Sequence, residues 1–158
     1  MKLARAIHFD ESDRNVYRIP ARTGEWCISG GFEFSDWTEG DLAGKARQAF
    51  SNGWLGLETF GRATFVAVAR IEPAELAALE EALAHHFVAL HGAPSREAAL
   101  PVAKAEIDAM REMCDGLDPN AVLTVARELT EAGVRESVRV IEHRDAELVQ
   151  VAVHGDMD

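Results

Sequence analysis

The stretch Ala63-Thr64-Phe65-Val66-Ala67-Val68-Ala69-Arg70-Ile71-Glu72-Pro73 decides the fold. Thr64 to Ala69 is nearly continuous apolar sequence, as expected for a strand buried near the middle of a sheet. Pro73 then opens a helix that runs to His91, with Gly92 after it, and both residues suit those positions. Within it Leu76, Leu79, Leu83, Phe87 and Leu90 recur at helical spacing and predict one buried stripe. A central strand leading into a long amphipathic helix needs further strands on either side of it.

Toward the N-terminus, Leu3 to Phe9 and Asn15 to Ile19 read as strands separated by the polar Asp10-Glu11-Ser12-Asp13, and Glu25 to Ser29 as a third, stopped by Gly30-Gly31. A short helix fits Gly40 to Asn52, with Thr38 and Asp41 in the pattern of a capping box. Trp54 to Phe60 and Ala63 to Ile71, joined at Gly61-Arg62, read as an antiparallel hairpin. Toward the C-terminus, a helix spans Pro101 to Asp115 on the stripe Leu100, Ala103, Ile107, Met110 and Cys114, and Pro101 is expected to interrupt any helical turn before it. Residues 121–154 read as a three-strand antiparallel meander, against the alternative of a helix at 119–132 followed by one hairpin. The expectation is a single α+β domain over 1–158: a mainly antiparallel sheet covered on one face by two or three helices.

A chain of 158 residues can bury a core without a metal or disulfide. The net charge is −11, and it is unevenly spread. Residues 1–71 carry nine basic and nine acidic side chains, whereas residues 72–158 carry seven and eighteen. An acidic surface without a Lys/Arg stripe argues against nucleic acid and anionic membranes as partners. No stretch approaches the ~20 apolar residues of a membrane span, and the start lacks a signal peptide's apolar run, so the cytoplasm is expected. Cys27 and Cys114 belong to no CxxC pair and read as buried reduced thiols.

Chemistry leaves little trace in the pattern. No GxSxG elbow, phosphate-binding glycine loop or HExxH motif is present, so no cofactor and no catalytic residue is assigned. Eight of the eleven aromatic residues fall between positions 26 and 65. Candidate ligand- or partner-binding residues therefore come from that segment: Phe32, Glu33, Phe34, Trp37, Trp54, Glu58 and Arg62. Core filling explains many of these rings, with Trp37 expected to be the most exposed. Glu81 and His85, four apart on the long helix, are the candidate metal pair, though a solvated helix face explains them equally. A metal there needs a further ligand, and His8, His91, His143 and His154 are unplaced.

The stretches Ile28-Ser29-Gly30-Gly31-Phe32-Glu33-Phe34, Arg127-Glu128-Leu129 and Val134-Arg135-Glu136 resemble a family of small uncharacterised bacterial proteins. The resemblance extends over nearly the whole chain. It implies an accessory role linked to redox-enzyme maturation and carries over no catalytic residue. Two function classes follow. One is a non-catalytic accessory protein that meets a protein partner through Phe32, Phe34 and Trp37. The other is a small-molecule-binding protein or enzyme, with a pocket between the sheet and the 73–91 helix and with Arg62 or Glu58 orienting the ligand. A homodimer paired through an edge strand fits either class.

Overall fold

The computed structural model describes residues 1–9 and 15–141. Seven strands form one sheet: β1 (Lys2–Ile7), β2 (Trp26–Ile28), β3 (Trp54–Gly56), β4 (Arg62–Ala63), β5 (Phe65–Arg70), β6 (Val122–Thr130) and β7 (Gly133–Ile141). Their order is β4-β3-β2-β1-β5-β6-β7, every neighbouring pair is antiparallel, and the sheet curls. Among the described residues, three helices of nine residues or more complete an α+β domain: α1 (Gly44–Asn52), α2 (Pro73–Leu90) and α3 (Arg96–Asp115). Helices α2 and α3 pack on each other, α3 packs on β1, and α1 packs on β6.

The apolar run at 65–70 takes the interior place expected of it, between β1 and β6. Ala4 stands between Cys27 and Val68, and Ala6 beside Val66, which in turn faces Leu123. All six side chains are fully buried. Small residues on β1 leave room for the larger ones beside them, which is how a tightly curled sheet fills its interior.

The helices follow their local signals with three exceptions. The helix expected over Gly40 to Asn52 divides: the capping box of Thr38 and Asp41 closes a 3-10 turn, Glu39–Asp41, and α1 starts only at Gly44 (φ 55°). Helix α2 starts at Pro73, its end closed by a capping box of Glu72 and Glu75, and it buries Leu76, Leu83 and Phe87. Leu90, expected in that stripe, is 70% exposed, because the helix ends there and the chain turns away at Gly92 (φ 74°). Helix α3 does not begin at Pro101. Ser95 caps it, its Oγ accepting from the Ala98 N–H at 3.1 Å, and Pro101 lies inside. The proline is exposed and sits near the N-terminal end, where the carbonyl it leaves without a partner can face water.

Three strand expectations also change. Residues 15–19 form no strand: Asn15 and Val16 are helical, Tyr17 is buried against Thr64 (2.8 Å), and Pro20 makes an isolated parallel bridge to Arg62. The 54–60 strand stops at Gly56 because the buried carboxylate of Glu25 turns the chain. It accepts from the N–H groups of Glu58 and Thr59, both at 2.9 Å, and from the Thr59 hydroxyl at 2.7 Å. A Cβ at Gly56 would lie 2.2 Å from that carboxylate, so only glycine fits beside it. Residues 63–71 divide at Thr64 into β4, which pairs with β3, and β5, which pairs with β1 and β6.

At 122–141 a hairpin forms, and the helical alternative fails. Asn120 has φ 74°, a left-handed conformation that ends any helix begun at Asp118-Pro119. The third strand of the expected meander, at Val149 to Val153, lies outside the described residues.

Arg127 on β6 ties these layers together. Its side chain is 0% exposed, and it donates to the carbonyls of Phe50 (3.0 Å), Gly53 (2.9 Å) and Ser29 (2.6 Å) and to Glu136 (2.7 Å). Arg127→Ala would remove the buried cation opposite Glu136 and the bonds to these carbonyls, of which Arg62 still reaches only Gly53 and Ser29, and is expected to cost about 3 kcal/mol or more in urea unfolding. Arg135→Ala, which removes an exposed pair with Glu128, is expected to cost less than about 1 kcal/mol. Equal costs would mean that Arg127 does not brace the fold.

Candidate functional site

The candidate site begins where β2 ends. Gly30 takes φ 71° and ψ 17° and starts a 3-10 turn, Gly31–Phe34. A Cβ at Gly30 would lie 2.4 Å from Leu55 Cβ, so both the conformation and the close approach require glycine. Phe34 lies inward, with the guanidinium of Arg62 4.6 Å from its ring centroid and that of Arg127 5.2 Å away. Phe32 meets Phe87 and His91 edge-on at 5.0 and 5.4 Å.

Between these rings, Glu33 becomes the centre of a polar cluster. Arg62 on β4 donates to Glu33 Oε1, and it also donates to the carbonyls of Gly53 (3.1 Å) and Gly30 (3.2 Å). The other oxygen, Oε2, faces two imidazoles: His86 Nε2 at 3.3 Å and His91 Nε2 at 3.1 Å. His86 is held by Phe60, whose ring stacks on it at 3.9 Å and 1°. The side chains of Arg62 and His86 are each 7% exposed, Glu33 23% and His91 30%, so the cluster opens to solvent beside His91.

Electrostatics keep this carboxylate charged. Burial pushes the Glu33 carboxyl up, but the hydrogen bond with His86 and the neighbouring Arg62 charge outweigh it and hold the group at about 2. Burial lowers the Arg62 guanidinium to about 10, opposed by Glu33 and reinforced by Arg127. Both partners therefore remain ionised at neutral pH.

A hollow of about 300 Å³ also touches the 3-10 turn. Its lining includes Phe32, Glu106, Met110 and Glu136, so it opens against α3 and not against α2. Burial, and then the charge of Glu136, raise the Glu106 carboxyl above its ordinary value.

Of the residues singled out in the sequence, Phe32, Glu33, Phe34 and Arg62 come together here. Trp37 stands outside the cluster, stacked on Phe50 at 6.4 Å and edge-on to Phe34 at 4.8 Å; it is partly buried rather than projecting. Trp54 is fully buried in the core, its indole N–H without a partner among the described residues. Glu58 is exposed and pairs with Arg22 at 2.6 Å. Glu81 is held by Arg96 at 2.7 Å, while His85 is exposed on α2.

Sequence reasoning singled out His85 and passed over His86. A signal for His86 existed, since it follows Leu79 by seven residues and so shares the buried face. An imidazole on such a face needs a polar partner. Nothing local points from it to Glu33, which lies 53 positions away.

Fold and site together define an α+β domain with a carboxylate–imidazole cluster braced by a buried arginine. The chain belongs to a family of unknown function, DUF6505, whose model matches residues 1–158. Neither the curated proteins nor the solved structures contain a match to it. Among the described residues, no helix is long and apolar enough to cross a membrane.

The folded-state carboxyl of Glu33 lies below its ordinary value of 4.5. Its contribution to stability is therefore complete above that value and is lost as pH falls toward about 2. Unfolding measured across this window is expected to show a shallower pH dependence for Glu33→Gln than for the wild type. An unchanged slope would mean that the Glu33 pairing does not contribute.

Proposed function

We propose that the chain is a small-ligand-binding accessory protein of the bacterial cytoplasm, and that the Glu33 cluster is its working part. One observation carries this reading. A charged carboxylate oxygen, its sibling occupied by Arg62, faces two imidazole nitrogens beside an opening to solvent. Such convergence of polar groups beside aromatic rings supports a ligand site.

The packing of the neighbouring rings also supports ligand capture over partner docking through Phe32, Phe34 and Trp37. Phe34 is buried beside two guanidiniums and Trp37 lies on Phe50, so these rings act as supports. A covalent role for either thiol is disfavoured. Burial, with the Glu25 charge, raises Cys27 far above the ordinary thiol range, and burial pushes Cys114 up to about 12. A ligand held without chemistry suits an accessory protein that presents its cargo to a protein partner, and a link to redox-enzyme maturation fits that role.

Native mass spectrometry of untagged protein, purified from its host without chelator, tests the reading. The expected result is an added mass that disappears on denaturation and is missing from His91→Ala. A clean unliganded mass for the wild type, or an added mass unaffected by His91→Ala, would overturn it.

A further inference from the structure

We infer that Glu33, His86 and His91 form a three-donor site for a divalent transition-metal ion of the zinc type; this names the ligand and rests on the reading of the Glu33 cluster as a ligand site. The donor set is chemically apt, two imidazoles and one carboxylate, which suits zinc and the ions that resemble it. Glu33 Oε2 is 3.3 Å from His86 Nε2 and 3.1 Å from His91 Nε2. The three donor atoms lie within 4.8 Å of one another. Metal bonds of about 2.0–2.1 Å in a tetrahedron place neighbouring donors about 3.3 Å apart, so two of the three edges already match.

The surroundings orient the donors as the second layer of a metal site does. Arg62 takes Glu33 Oε1 and leaves Oε2 turned to the imidazoles. Phe60, stacked on His86, sets the plane of that ring, and Phe32 meets His91 edge-on. The backbone contributes as well: the N–H groups of His91 (3.0 Å) and Ala93 (3.2 Å) both donate to the Phe87 carbonyl and fix the end of α2 from which His91 projects.

Three protein donors leave at least one coordination position open, and the exposed His91 places it at the mouth of the cluster. Water fills it in the isolated protein, and a donor atom of a partner or small ligand replaces that water. The charge of Arg62 opposes a cation, so the ion is held less tightly than in a closed four-ligand site. Neither Glu81 nor His85 takes part.

The test uses untagged full-length protein, stripped with chelator and titrated with Co²⁺ as the probe. The expected result is a visible absorption band that saturates at one ion per chain and is abolished by Zn²⁺. His91→Ala should weaken Co²⁺ binding at least about tenfold, while His85→Ala, on the exposed face of the same helix, should bind as the wild type does. His86→Gln removes a second donor and should act like His91→Ala, with far-ultraviolet circular dichroism establishing that each variant is folded. Absence of the band, or equal binding by His91→Ala and His85→Ala, would overturn the metal assignment. If native mass spectrometry also finds an organic ligand that His91→Ala loses, only the metal assignment falls. If it finds no ligand and Co²⁺ gives no band, both readings fall.

Discussion

Arg62 and Arg127 donate to the same carbonyl, that of Gly53, at 3.1 and 2.9 Å, and both also reach the carbonyl of Ser29. The two arginines come from β4 and β6, the first and sixth strands in the sheet order. Flat strands so far apart could not share an acceptor, since neighbouring strands lie about 4.8 Å apart. The curl of the sheet makes the meeting possible, and the meeting holds the curl. Both guanidiniums also lie near the ring of Phe34, which they meet as cations. Two like charges at this depth persist because each has its own carboxylate, Glu33 for Arg62 and Glu136 for Arg127, and carbonyl acceptors besides.

The arginines also finish α1. The carbonyls of Phe50 and Gly53, at the end of that helix, are acceptors that the helix itself cannot satisfy. A cation there meets both the unpaired carbonyls and the negative end of the helix dipole. The same pair of side chains therefore closes a helix, braces a sheet and positions the loop that carries Glu33. The site is thus a product of the brace, and not an addition to a finished scaffold.

Two buried carboxylates show how environment separates structural from functional use. Glu25 accepts from three backbone N–H groups and a hydroxyl and leaves no oxygen free for a ligand. Glu33 has one oxygen engaged by Arg62 and the other turned toward imidazoles near solvent. In the sequence both are glutamates next to aromatic residues, and nothing local distinguishes them. The aromatic, glycine-punctuated segment was legible as the place to look, and Phe32, Glu33, Phe34 and Arg62 were legible within it. Trp37, Trp54 and Glu58 share the composition of that segment but not the site, because composition does not record which way a side chain points.

What the sequence determined by itself was set by interactions between near neighbours. The stripe of α2 as far as Phe87, the capping pattern of Thr38 and Asp41, the interior place of the 65–70 strand and the alternating valines of β7 follow from periodicity and local hydrogen bonding. Where a distant partner intervened, local reading failed. Glu25 ended a strand by capturing N–H groups more than thirty positions away, and Tyr17 packed against Thr64 where a strand was expected. The cluster at Glu33 belongs entirely to the tertiary structure. Its four side chains come from the 3-10 turn, β4 and the end of α2, as far as 58 positions apart, and only the curl of the sheet around Arg62 brings them into one place.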